Sequence, residues 1–564
     1  MAEGIQVRLN RIRPPRVQIT YDVENGDAIE KKELPFIVGV LADLAVMPAE
    51  PLPPLRERKF VEIDRDNFDQ VMAASSPRLE ISVPTMLPCA SEKTNLKIEV
   101  VFSTIGELEP MSIVSKVSEL SDQYDSLEHL HNLLTETEGS DAKRIVSDQI
   151  TEIDSALNRQ LNVIMHHESF KKIEATWRGL YYLVANSETN HHLKIRILNA
   201  PKADLLNDLK TEVEWDQSGL FNLVHEKEYG TYGGDHFSIL IGDYAFGRTS
   251  DDIELLNKIV GIAAAAHAPF VTAADIDLYD VANAYEPRDF SDIFESSELT
   301  KWRAFRDSED SRYMTLTLPR VLLRLPWGHE NSAMNETFCF VEDAGNTPGN
   351  FLWGNSAFIL AQRITNAFSL HGWTAAISGI EGGGLIESLP VHTFEFDDHE
   401  FPPNCTTEST ISNCNEKELN DLGFMAICHC KDTGKAAFVG GQTINKPNLD
   451  NASCNARASA TLPYILTASR FAHYIKVLLR DKVGTFLSKQ SIEEYLNNWI
   501  SSYVLLDDSA TQKAKAMYPL RAARIVVTDT PGKPGVYSAT VFLNPHFQLD
   551  ELTSAIRLVV ELPS

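Results

Sequence analysis

The first clear pattern along the chain is strict alternation. In RVQITYDV, Val17, Ile19, Tyr21 and Val23 alternate with Gln18, Thr20 and Asp22, the period-two signature of a half-buried strand. ENGDA follows as a turn, and IEKKELPFIVGVLADL predicts a second, more buried strand. A strand so near a free terminus needs a sheet to join, its own or a neighbour's. FVEI is a short strand after a proline-rich connector, and Asp66 or Asn67 stands where a helix cap belongs. PRLEISVPTML and NLKIEVVF predict a strand pair around a polar loop.

The period then changes. Met111, Val114, Val117 and Leu120 recur at three-residue steps, and Tyr124, Leu127, Leu130 and Leu134 continue at three or four, predicting a helix from about 107 to 136. A second helix over 139–165 carries Ile145, Ile150, Ile153, Leu157, Leu161 and Ile164 on one side. Two long amphipathic helices in succession need other helices or subunits to bury against.

Beyond residue 170 strands and helices alternate. HLKIRILNA and HFSILIGDYAF read as strands, DDIELLNKIVGIAAAAHA as a helix, and NSAFILAQRITNAFSLHG as a helix ending near Gly372. ARASATLPYILTASRFAHYIKVLLRDKV predicts a long helix bent at Pro463. SIEEYLNNWISSYVL predicts a helix with Ser491 and Glu494 at capping-box spacing and Ile492, Tyr495, Leu496, Trp499 and Tyr503 on its apolar face. ARIVVTD and VYSATVFLN flank the hairpin signal TPGKPG, and AIRLVVELP is a last strand. The fold class is α/β, a mixed α+β chain.

Composition narrows the function. A chain of 564 residues holds more than one sizeable core. Its net charge of −28 repels a phosphate backbone, which argues against nucleic acid as a partner. No basic and apolar leader opens the sequence, and the most apolar stretch, IVGIAAAAHAPFVTAA, is short and interrupted by His267 and Pro269; no membrane insertion is expected. Seven cysteines, sparse and odd in number, fit a reducing cytoplasm.

Candidate chemistry is thin. GIEGGGLIESLP (379–390) looks like a phosphate cradle, but it has neither the lysine and hydroxyl of a P-loop nor GxGxxG spacing, and Glu381 repels phosphate. A tight turn is the better reading. Cys405, Cys414, Cys428, His429 and Cys430 have poor zinc spacing, and Cys-His-Cys on a strand alternates faces. His166–His167 and His191–His192 lack metalloprotease spacing. In SEDSRY (308–313), Glu309, Asp310 and Arg312 are the carboxylates and cation a hydrolase would use, yet no nucleophile or metal motif stands near them. No catalytic, cofactor or metal residue is assigned.

Whole stretches do carry a resemblance. RPPRVQITYDVENGDAIEKKELPFIVGVLADL and PLPPLRERKFVEIDRDNFDQVM resemble the small sheath protein (TssB) of the bacterial type VI secretion system. LNVIMHHESFKKIEATWRGLYYLV, IGDYAFGR, AAAAHAPF, KWRAFRDSEDSRYMTLTLPRVLLRLPWG, FLWGNSAF, GIEGGGLIESLP, SRFAHYIKVLLRDKVG and NPHFQLDELTSAIRLVVELP resemble the large sheath protein (TssC). The resemblance implies a cytoplasmic structural subunit that polymerises helically around an inner tube and contracts to propel it. It implies the inner tube protein, a baseplate and other copies of the chain as partners, and no ATP or metal site. Terminal strands complete sheets in neighbouring units, so Val17, Ile19, Tyr21 and Val23, with Val526, Tyr537, Val541 and Leu543 of the hairpin 523–543, become candidate inter-subunit strand residues. Met111, Val114, Val117 and Leu120 become candidates for packing the small part on the large.

The family has two chains where this sequence has one. The expected organisation is a TssB-like part over 1–138, a helical junction over 139–170, and a TssC-like part over 171–564 with a C-terminal strand region from 523. The large part starts late, without the extension that carries the recognition helix for an AAA+ unfoldase in the family. That puts recycling by the unfoldase in question. A related contractile injection particle or phage-tail-like sheath is the alternative, and a hydrolase the more distant one.

Overall fold

A computed structural model of the chain describes residues 20–24, 27–31, 34–87, 95–137, 140–212, 214–229, 231, 234–275, 278, 299–328, 338–345, 348–393, 404–409, 411, 413–430, 435–446, 459–482, 489–507, 509–529, 537–546 and 556–561. Thr20–Glu24 (β1) and Asp27–Lys31 (β2) form an antiparallel hairpin. Tyr21 and Val23 therefore lie on a strand, while Val17 and Ile19 lie outside the described residues. The run expected as one long second strand is two. Pro35, which has no N–H to give a ladder, precedes Phe36–Ala42 (β3), and β3 belongs to a different sheet.

That strand organises the molecule. β3 is buried at all its positions, with Phe36, Val38 and Val40 in one core and Ile37 and Leu41 in another. A strand apolar on both faces belongs inside a parallel sheet covered on both sides. The following strands are Val61–Ile63 (β4), Arg78–Pro84 (β5), Asn95–Val101 (β6), Leu193–Asn199 (β7), Ile239–Phe246 (β8), Phe270–Ala274 (β9), Met314–Leu318 (β10), Val321–Leu322 (β11), Trp353–Gly354 (β12), Leu385–Ile386 (β13), His392–Thr393 (β14), Asn404–Cys405 (β15), Phe424–His429 (β16) and Ala436–Phe438 (β17). Eight of them join β3 in one nine-stranded sheet of order β13-β17-β16-β10-β9-β8-β3-β7-β4. β3 runs parallel to both β7 and β8. A strand from the first 50 residues thus sits in the middle of a sheet built from residues beyond 190. β5 and β6 pair as a separate hairpin, as expected.

The helices are Phe68–Ser75 (α1), Pro110–Lys116 (α2), Ser118–Glu136 (α3), Ser140–Met165 (α4), Glu168–Ala185 (α5), Lys202–Thr211 (α6), Ser250–Ala266 (α7), Thr300–Arg306 (α8), Ser356–His371 (α9), Asn413–Asp421 (α10), Leu462–Lys482 (α11), Lys489–Ser501 (α12) and Gln512–Met517 (α13). α4, α5 and α9 supply the core on one face of the sheet; α6, α7, α8 and α10 supply the other. A third core joins α11 and α12 to the antiparallel sheet of Leu520–Asp529 (β18), Tyr537–Pro545 (β19) and Ile556–Glu561 (β20).

Three sequence expectations are corrected. The helix expected over 107–136 is broken at Val117, which is extended (φ −102°, ψ 112°) and offers its carbonyl to Leu120 and Ser121 as the start of α3. Pro463 does not bend a long helix. It stands in the first turn of α11, where its missing N–H costs no helical bond. Ser491 lies inside α12, which starts at Lys489, so its spacing to Glu494 is not a cap.

Candidate assembly surfaces and the junction between the two parts

The four junction candidates differ in depth but reach one core. Val114, Val117 and Leu120 are buried and Met111 is half-buried, in the cluster that also holds Leu157, Leu161 and Ile164 of α4 and Trp177 of α5. Past the break at Val117, α3 packs along α4 while Val117 itself stays buried. Polar clamps add to the apolar contact. Gln160 of α4, fully buried, accepts from Met86 N at 2.7 Å and donates to Pro84 O at 3.2 Å. Trp177 Nε1 donates to Leu44 O at 3.1 Å, and Lys172 reaches Asp43 at 2.5 Å. The far end of the helix pair packs thinly, and Ile145, expected on the apolar side, is 59% exposed.

The C-terminal sheet has two unlike edges. On β18 the backbone is already occupied: Ile525 N donates to Asn497 Oδ1 at 3.0 Å, Asn497 Nδ2 donates to Ile525 O at 2.8 Å, and Val527 N donates to Glu493 Oε2 at 3.0 Å. α12 thus closes that edge with side chains. β20 at the other edge pairs only with β19 among the named strands. Val541 and Leu543 are buried in the third core; Val526 is half-buried on the opposite face of β18, and Tyr537 is the first residue of β19.

Two sequence motifs meet around a buried ion network. Arg324 of PRVLLRLPWG bonds Glu174 of α5 at 2.7 Å and Glu342 at 2.6 Å, and Arg178 bonds Glu174 at 2.7 Å. Burial alone would lower the Arg324 guanidinium and raise the Glu342 carboxyl. The pairing wins in both cases: Arg324 is held above its usual range, and Glu342, with His166 at 3.4 Å, falls to about 2. Beside this network a cleft of about 510 Å³ is lined by Leu323, Pro326 and Trp327 of that motif and by Glu387, Ser388 and Pro390 of the glycine-loop motif.

The glycine loop is a backbone device. Gly379 and Gly383 have φ of 79° and 97°. A Cβ on Gly384 would stand 2.3 Å from Phe438 O, and one on Gly383 2.3 Å from Ala376 O. Gly379 N donates to Phe438 O, so the loop seats against β17. In SEDSRY the buried member is Ser311, donating to Arg306 O and Ser308 O; Glu309 and Asp310 are exposed. Cys428 faces the second core, where burial pushes its thiol up to about 12, and His429 is half-buried on the other face of β16. No group of His, Cys, Asp or Glu among the described residues could hold a metal ion, and none of the described helices is long and apolar enough to cross a membrane.

Comparison with known proteins adds the family. Residues 147–445 match the tail sheath N-terminal domain of EvpB/VC_A0108, and 451–562 match the tail sheath gpW/gp25-like domain of the same proteins. Residues 9–162 match the model described as type VI secretion system, VipA, VC_A0107 or Hcp2; it overlaps the first within α4. The type VI secretion system sheath protein TssC1 of Pseudomonas aeruginosa is 43% identical over 435 residues, 75% of this chain and 87% of that protein. TssB1 of the same organism is 43% identical over 129 residues, 23% of this chain and 73% of that protein. The cryo-EM helical sheath of the anti-feeding prophage, in its contracted state, aligns with a TM-score of 0.35 and 13% identity over 66% of this chain and 79% of that one. The chain belongs to the type VI secretion sheath family, with a TssB part and a TssC part fused in one polypeptide.

Proposed function

We propose that this chain is the structural subunit of a contractile sheath, polymerising helically around an inner tube and shortening to drive that tube outward. The observation that carries the reading is the asymmetry of the C-terminal sheet. One edge is closed by Glu493 and Asn497; at the other, β20 pairs among the described strands with β19 alone, the edge at which a strand from another copy would add. Residues 17–23 are the strand offered in exchange, and β19 and β20 belong to the platform that receives it. Fusion fixes the ratio of the two parts at one to one. Met111, Val114, Val117 and Leu120 then act within a single subunit, holding a TssB part (1–138) on a TssC part (171–564) through the helical junction 139–170.

The subunit works by shape, not catalysis, in the bacterial cytoplasm, and its partners are other copies of itself, the tube and a baseplate. An AAA+ unfoldase is a partner only if it recognises a segment other than the one missing ahead of α4. Purified protein is expected to form long hollow tubes in negative-stain electron microscopy. Discrete small particles across salt and pH would overturn the reading.

A further inference from the structure

We propose that a seam of four histidines, His236 and His473 buried and His225 and His267 half-buried, makes the joint between the two TssC-type domains acid-labile, so that protonation near pH 5 releases α11 from the sheet domain. His225, His236 and His267 lie in the part matched by the tail sheath N-terminal domain; His473 on α11 lies in the gpW/gp25-like part. Their rings form a continuous set of contacts across the joint. His225 stacks on Tyr229 with centroids 4.4 Å apart, and Tyr229 stacks on His236 at 3.9 Å. His473 is 5.6 Å from His236 and 6.2 Å from His267.

The hydrogen bonds fit neutral rings. His473 Nε2 lies 2.9 Å from Ala266 O, which also accepts from Tyr229 Oη at 2.8 Å, so that nitrogen donates. His267 Nδ1 lies 3.2 Å from Tyr313 Oη. The Nδ1 atoms of His225 and His236 are buried without a hydrogen-bond partner. A second proton on either ring would gain no acceptor in place.

The surrounding charges oppose that proton. From α11, Arg470, Lys476 and Arg480 face the cluster, with Lys476 Nζ 4.8 Å from the Tyr229 ring centroid. The nearby acids are engaged elsewhere: Asp235 with Lys194 and Arg196, Glu228 with Arg196, and Glu226 with Asn222. Tyr229 and Tyr313 are neutral phenols that burial pushes further from ionisation. Burial is the main cause that drops His236 to about 4 and His267 to about 3, with His225 and His473 also lowered and Lys476 down to about 8. A cavity of about 20 Å³ bounded by Asp235, His236, Arg470 and His473 gives water a way in once the seam loosens. The rings stack rather than converge, so they do not make a metal site.

The sign follows from linkage. An exposed histidine titrates near 6.5, whereas these take protons only lower. The open state therefore binds more protons below pH 6.5, and closure weakens as pH falls from there toward the folded values of about 4 and 3. A histidine held at about 4 alone shifts the opening equilibrium roughly 30-fold at pH 5. α11 also supports the C-terminal sheet, so release of the seam would detach the platform for strand exchange; that consequence, unlike the lability itself, rests on the sheath reading.

Hydrogen exchange by mass spectrometry on the full-length, unassembled protein at pH 7.5 and 5.0, corrected for intrinsic rates, tests the seam. Peptides from α11 and residues 219–229 are expected to exchange at least tenfold faster at pH 5 while β3 stays protected. His225→Phe/His236→Phe keeps the ring stack and should shrink that difference at least tenfold, while His267 and His473 leave a residual acid response. Equal protection of α11 at both pH values, simultaneous opening of β3, or an unchanged acid response in the double variant would overturn the proposal. His236→Phe alone carries the same test if the double variant does not fold.

Discussion

The two sheets of this molecule use strands in opposite ways. In the nine-stranded sheet, β3 from the TssB part lies between β8 and β7, every position buried, its backbone paired on both sides. In the three-stranded C-terminal sheet, one edge is sealed by α12 and the other ends at β20. The first arrangement threads the TssB part into the sheet of the TssC part; in the second, β20 pairs among the described strands with β19 alone. A fused chain therefore needs no separate association step to join its parts, and the proposed strand exchange would act at the C-terminal sheet.

The sharpest way to break this contrast is to put a charge into the closed sheet. Val40→Asp buries an unpaired carboxylate at a fully enclosed site. It should prevent soluble folding of the whole chain, seen as loss of the cooperative thermal transition, and not only of the first 138 residues. Arg324→Ala should cost about 3–5 kcal/mol in denaturant unfolding, because Glu174 and Glu342 would stay buried without their cation. Leu120→Ala, at the packed root of the helix pair, should cost about 2–5 kcal/mol, whereas Ile145→Ala at its exposed end should stay within about 0.5 kcal/mol. Asn497→Ala should cost only about 1–2 kcal/mol, but it bares the β18 backbone; increased light scattering from off-pathway association would show that this side chain guards an edge.

Local patterns were legible where local physics decides. The period-two runs in β1, β5, β6, β18 and β19, and the apolar stripe of α4, all carry their geometry in neighbouring residues. The glycine loop was legible as a turn because Glu381 and the missing lysine argue against phosphate. Its seat against Phe438 depends on a contact nearly 60 residues away along the chain and was not. The same reason hid the insertion of β3 beside β7 and β8. Val117 breaks a helix whose apolar spacing is continuous, and the side chains on both sides of the break stay buried in one core. Arg324 and Glu174 lie 150 residues apart, and the histidines of the seam are scattered from 225 to 473; neither cluster leaves a spacing in the sequence.

A cryo-EM map of the assembled protein, set beside that of a chain lacking residues 1–23, tests the central claim most directly. The account predicts that in the polymer the C-terminal sheet gains a strand from another copy, on the side away from Glu493 and Asn497. It also predicts that the shortened chain folds with the same thermal transition yet forms no tubes. Tubes from the shortened chain, or a polymer whose C-terminal sheet holds strands of its own copy alone, would contradict it.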